Sequence, residues 1–167
     1  HLIHKIRNLF YNGEILADGL NDYTIRPNIF LACYSYPELM NREEWKKIID
    51  NALPKLWLDW GGLSTIDKAN PLFHPLHSGI DDHSYHRGDS WFFINDIAAI
   101  VMSRLDDKRY NDNIKSILEA SSSDILSNGS IRCASEISSA KKLDAFGCLS
   151  QAWSNSCFIE LISQLYR

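Results

Sequence analysis

A chain of 167 residues, 45% of them hydrophobic, with a mean hydropathy of −0.23, is sized for one ordinary domain with its own core. Its net charge is −4 and its lysines cluster only as pairs such as Lys46-Lys47 and Lys141-Lys142. That excludes the basic stripe of a nucleic-acid binder, and no apolar run is long enough to span a membrane.

The chain has no initiator Met and opens in mid-helix pattern, so it reads as a piece of a longer protein. Leu2, Ile3, Ile6, Leu9 and Phe10 have the spacing of an amphipathic helix, ended by Asn12-Gly13. Residues 14–28 form a polar linker. Arg26-Pro27-Asn28 starts an apolar helix over 29–36, since proline suits the first helical turn. Arg26 is a candidate for a sugar hydroxyl or carboxylate, and equally for pinning the loop through Asp18 or Asp22. Asn41 with Glu44 resembles a capping box, and Trp45, Ile48, Ile49, Ala52 and Leu53 mark the stripe that follows. Pro54 is expected to bend or end that helix. In the glycine-hinged loop from Trp60 to Thr65, Trp60 is poised between stacking on a sugar face and joining the core.

Residues 61–89 make a connection far longer than usual, and such loops tend to be functional. Its last part, with Trp91 just beyond, is the densest chemistry in the chain: Asp81-Asp82-His83-Ser84-Tyr85-His86-Arg87-Gly88-Asp89-Ser90-Trp91. Almost nothing there can serve as core, yet it feeds directly into an apolar run over 92–102 that must be buried round most of its circumference. Side chains at the start of such a helix are held rigidly. Asp89 and Ser90 are also candidates for its N-cap. His74, His77, His83 and His86 invite a metal reading, but no confident helix and no cysteine or HExxH pattern joins them, so no metal and no cofactor is expected.

Asp106-Asp107-Lys108-Arg109 is a turn. Tyr110, Ile114, Ile117, Leu118 and Ile125 give the next helix its stripe, and the serine-rich residues 121–130 end it. A second site-like loop over 131–147 holds Glu136, readable alone as a carboxylate paired with Lys141 or Lys142. Residues 150–166 are expected to form a last helix, buried on much of its surface. With no persuasive period-2 segment, the fold class is all-α. Long loops (14–28, 61–89, 131–147) alternate with short turns, as in an array of helical hairpins that builds its site at one end. Cys33, Cys133, Cys148 and Cys157 lack CxxC spacing, which points to a reduced, cytoplasmic setting.

Tyr85-His86-Arg87-Gly88-Asp89-Ser90-Trp91 resembles the Tyr-His-x-Gly-x-x-Trp segment of the amylo-α-1,6-glucosidase domain of glycogen debranching enzymes. Three further matches follow the family's order: Ile25-Arg26-Pro27-Asn28; Gly62-Leu63-Ser64-Thr65; and Ser135-Glu136-Ile137 followed by Gly147-Cys148-Leu149-Ser150-Gln151-Ala152-Trp153-Ser154. The departures, Arg87 in place of a common glutamine and Asp89-Ser90 in place of threonine-valine, bear on substrate more than on fold.

The resemblance implies an α/α toroid of six helical hairpins, of which residues 1–167 would supply the C-terminal portion, about half. It implies inverting hydrolysis of α-1,6-linked glucose at branch points of an α-glucan, with Glu136 as general base. The general acid belongs to a Thr-Trp-Met-Asp segment absent from this sequence, so the chain alone is expected to be inactive. Tyr85, His86, Arg87, Asp89 and Trp91 would form a binding wall, with Trp60, Arg26 and Gln151 reaching the same pocket and Trp153 packing behind Glu136. The expected partners are an α-glucan and, through uncovered apolar helix faces, a second copy or the preceding half of the toroid. Two rivals stay open. One is another inverting toroid glycosidase acting on trehalose or a short α-glucoside; the other is a non-catalytic helical interaction module, which would scatter Asp89, Glu136 and the aromatics instead of gathering them.

Overall fold

The computed structural model describes residues 2–79, 82–105 and 108–166, with the side chain of Asp82 also left out. Its helices are α1 (Leu2–Phe10), α2 (Asn28–Ser35), α3 (Arg42–Leu56), the one-turn α4 (Asp82–Tyr85), α5 (Phe92–Arg104), α6 (Asn111–Ser127) and α7 (Ala152–Leu165). Tight 3-10 turns at Pro37–Leu39 and Lys108–Tyr110 make the short connections. The expected turn at Asp106-Asp107 lies outside the described residues.

Helix α5 organises the rest. Ile94 through Met102 are buried without a break, so every face of the helix meets protein, and α2, α6 and α7 all pack on it. Helix α3 starts on the expected capping box, Asn41 accepting from the Glu44 amide while Glu44 accepts from that of Asn41. It closes the core with Trp45, Ile48, Ile49, Ala52, Leu53 and Leu56.

Four expectations are corrected. Pro54 does not end α3, which continues to Leu56; its missing N–H costs the one bond it would have donated to the Asp50 carbonyl. Helix α6 runs through its serines to Ser127, because the Ser121 hydroxyl donates to Asp96 at 2.7 Å instead of competing for its own backbone. Helix α7 buries only Ser154 and Leu161, and Trp153 and Ile159 are 63% and 68% exposed. One side packs on α5, and much of the rest stays exposed. Finally, a two-stranded antiparallel ladder exists, β1 (Ser90–Trp91) against β2 (Ile137–Ser138), pairing Ser90 with Ser138 and Trp91 with Ile137. Two residues are too few to show alternation in a sequence.

The three long loops meet. Arg26 donates to the Thr65 and His86 carbonyls at 2.9 and 2.7 Å. Asp67 N–H donates to the Ile25 carbonyl at 3.0 Å, and Lys141 N–H to the Pro75 carbonyl at 2.9 Å.

Asp96 carries a pH dependence. It is fully buried in α5 and its Oδ2 has no partner. Burial first, and the nearby Asp124 charge second, push its carboxyl well above the ordinary aspartate range. The native state therefore holds a proton that the unfolded chain releases. The associated stability is intact at and below the ordinary aspartate range and is lost as pH rises through the raised value. The urea midpoint should fall as pH is raised out of the acid range. Asp96→Asn, which keeps an acceptor for Ser121, should flatten that slope. An unchanged slope in the variant would assign the effect to other groups.

Candidate active site

Glu136 stands immediately before β2, half-buried, at the seam between the second and third long loops. Its Oε1 accepts from the Tyr85 hydroxyl and its Oε2 from the Cys148 amide at 2.8 Å. Among the described residues no lysine pairs with it, and Lys142 pairs instead with Asp144 at 2.9 Å. Gly147 makes the Cys148 contact possible. Its φ is +70°, and a Cβ there would stand 2.5 Å from the Glu136 Oε2, so only glycine lets the loop close on the carboxylate.

From Tyr85 a continuous run of rings leads away. Tyr85 meets Trp91 edge-on at 4.6 Å, Trp91 meets Phe93 at 5.7 Å, and Phe93 meets Trp153 at 5.2 Å. His86 stacks on Trp91 at 5.9 Å, and the Trp91 indole N–H donates to the Tyr85 carbonyl at 3.1 Å. His86, Trp91, Phe93 and Trp153, with Arg26 and Leu31 opposite, border a cleft of about 270 Å³. Aromatic faces with a few polar groups at the rim are what the apolar face and hydroxyls of a sugar ring require. Glu136 does not itself line this cleft; the Tyr85 to which it is bonded meets the cleft's Trp91.

The sequence-predicted residues thus divide. Tyr85, His86 and Trp91 cluster by their rings, and Tyr85 bonds Glu136. Arg87 is half-buried, and its guanidinium has no hydrogen-bonding or ionic partner among the described residues. Arg26 borders the cleft but is spent on two carbonyls and on Asp18, 3.4 Å away, so its pinning role is the one observed.

Asp89 is corrected outright. It is neither N-cap nor wall but fully buried, holding His77 Nδ1 at 2.7 Å and the Ser84 hydroxyl at 2.9 Å. Helix α5 starts on Trp91 with no side-chain cap. Trp60 is also not on the cleft: its indole N–H donates to the Ser139 carbonyl at 3.1 Å, and its ring meets Phe92 at 6.3 Å. Gln151 accepts from the Ser154 hydroxyl at 2.7 Å and its amide donates to the Ala134 carbonyl at 2.9 Å, so it braces the Glu136 loop. Trp153 borders the cleft on Phe93 rather than packing behind Glu136. Asp81 and the Asp82 side chain lie outside the described residues.

Sequence reasoning missed Phe93, hidden in an apolar run, and the Tyr85–Glu136 pairing across a separation of 51 residues, which no local pattern signals. Among the described residues no cluster of metal-ligating side chains is present and no helix is long and apolar enough to cross a membrane.

Comparison with known proteins supplies the remaining findings. Residues 4–160 match a family model described as amylo-alpha-1,6-glucosidase. A search of curated proteins gave no match. Among solved structures, the neutral trehalase of Saccharomyces cerevisiae is similar, with a TM-score of 0.64 and 16% sequence identity. That match covers 98% of this chain and 29% of the trehalase chain. A likeness at such low identity speaks for the fold, an α/α toroid of helical hairpins.

Proposed function

Because the chain belongs to the amylo-alpha-1,6-glucosidase family, we propose that it contributes the base side of an inverting glycosidase site that releases α-1,6-linked glucose from the branch points of glycogen or a related α-glucan. The observation that carries this reading is Glu136, held by two donors at the seam of two loops and linked through Tyr85 to the Trp91 wall of an aromatic cleft. Inversion needs a carboxylate that takes a proton from water on one face of the sugar, and an acid about 6.5–9.5 Å away that protonates the leaving oxygen. Glu136 supplies the first. Each of its oxygens accepts one bond and keeps a further lone pair for water.

The wall from Tyr85 to Trp153 receives the sugar face, with Arg87 available for a hydroxyl. The acid is supplied from outside this chain. The gathering of Glu136 with the rings favours an enzyme over a scattered-loop interaction module. Exposed Leu2, Leu9 and Ile159 support packing against another part of the toroid or a second copy. Four free cysteines support a cytoplasmic setting.

The test is the anomer released. The full-length protein carrying this chain should liberate β-glucose from an α-1,6-glucosylated maltosaccharide, followed by proton NMR before mutarotation. This chain alone should release none. Initial α-glucose would sink the inverting mechanism, turnover by the chain alone would place both carboxyls within it, and turnover of trehalose in place of the branched substrate would shift the substrate class.

A further inference from the structure

The loop carrying Glu136 is tied down amide by amide to different parts of the fold. Ala134 N–H donates to Asn155 Oδ1 on α7 at 3.1 Å, and Ser135 N–H to Asp124 Oδ2 on α6 at 2.7 Å. Glu136 N–H donates to the Cys148 carbonyl at 2.8 Å, and Ile137 N–H to the Phe146 carbonyl at 3.3 Å. Of these acceptors only Asp124 is ionisable, and it is fully buried with its Oδ1 unpartnered.

Asp124 is a costly residue for its place. A buried carboxyl with one free oxygen is penalised for lost hydration. It also lies in the last turn of α6, where the helix dipole opposes negative charge. Nothing about α6 itself calls for an acid there, since a better helix former would serve the helix. What the carboxyl does accomplish is to hold the amide directly before Glu136. Its neighbourhood is polar on purpose as well: Ser121, one turn earlier on α6, donates to Asp96 across the helix pair.

We propose that Asp124 is a positioning residue, which through the Ser135 amide fixes where the Glu136 carboxylate stands against its substrate water. This rests on the reading of Glu136 as base. A displacement of the order of 1 Å costs about 100-fold in rate in a preorganised site, and the substrate cleft does not touch Asp124.

The experiment compares Asp124→Ala, Asp124→Asn and Glu136→Gln in the full-length protein on the branched substrate. Asp124→Ala should lose roughly 100-fold in kcat with KM changed less than about twofold. Asp124→Asn, whose carbonyl still accepts from the Ser135 amide, should recover most of that loss. Should the alanine variant be too unstable to assay, Asp124→Leu fills the volume without an acceptor and asks the same question. Amide exchange on this chain adds a reading that needs no turnover: the Ser135 amide should exchange faster in the leucine variant and stay slow in the asparagine one, with α6 unchanged.

Wild-type kcat in Asp124→Ala or Asp124→Leu beside an inactive Glu136→Gln would overturn the inference and leave the base assignment standing. Equal losses in the alanine and asparagine variants would overturn it too, since the amide bond would then not be what matters. Wild-type turnover in Glu136→Gln would remove the base assignment and this inference with it. An unaltered Ser135 exchange rate in the leucine variant would also overturn it.

Discussion

Glu136→Gln is expected to lower kcat on a branched α-glucan about 10²–10⁴-fold, the usual worth of a general base, while KM stays within a few-fold of wild type. Glutamine has nearly the same shape, and its carbonyl can still accept from either Tyr85 or Cys148. It cannot take a proton from water. Because the amide nitrogen would confront one of two donors, slight local rearrangement is expected as well, visible as a small change in binding rather than a large one. Steady-state kinetics together with calorimetric binding of an unhydrolysed oligosaccharide separate the two effects. Turnover near wild type would remove Glu136 from the mechanism, and lost binding with unaltered kcat would make it a substrate contact only.

Gly88→Ala is expected to be the most damaging single methyl group in the chain. The Gly88 amide donates to the Thr65 hydroxyl at 2.9 Å, and the flanking Arg87 carbonyl accepts from the His74 amide at 2.6 Å. The two loop backbones are therefore pressed together, and a Cβ on Gly88 would overlap the His74 carbonyl oxygen. Backbone cannot swing aside as a side-chain tip can. The cost should reach the upper end of overpacking, about 3 kcal/mol, or roughly 6–12 °C in Tm for a domain of this size. Tyr85 and Trp91, on either side of the glycine, should shift with it, so glucan binding should weaken in step. Gly19→Ala is the control, since the nearest atom there is an ordinary 3.7 Å away. If the two variants melt alike, the close approach at Gly88 is not structurally required.

Much of this was legible in the chain itself, for physical reasons that differ from part to part. The Asn41–Glu44 cap, the α3 stripe and the buried α5 announce themselves because each depends on residues within a turn or two. Tyr85, His86 and Trp91 stood out because they sit in a stretch too polar for core, whereas Glu136, readable alone as an ion-pair carboxylate, was singled out only by the family resemblance. Asp89, in that same polar stretch, misled. A carboxylate in a polar loop looks exposed, and only His77 and Ser84, brought round by the fold, explain why it is buried. Trp60 and Arg26 misled similarly: each carries a polar group that satisfies a distant carbonyl, a role set by tertiary proximity and invisible to spacing. Asp124 drew no notice because a lone acid in a serine-rich stretch resembles a solvated face. Its meaning appears only when Ser135 lies against it.

The seam between the long loops has a dynamic consequence. Its ties are individually slight: a two-residue ladder, the Arg26 fork, the Trp60–Ser139 bond and the Tyr85–Glu136 bond. Each closes a long stretch of chain, but closure entropy rises slowly with length and is largely met once the first tie is made. The remaining ties then form at little further cost, so they open and close together. The helices take part as well, since Leu16, Ile25 and Leu63 of these loops share the core with α5 and the Glu136 loop is bonded to α6 and α7. Opening of the seam is thus coupled to the packing of the helical body beneath it. A ligand spanning any two of the loops therefore orders the third without touching it.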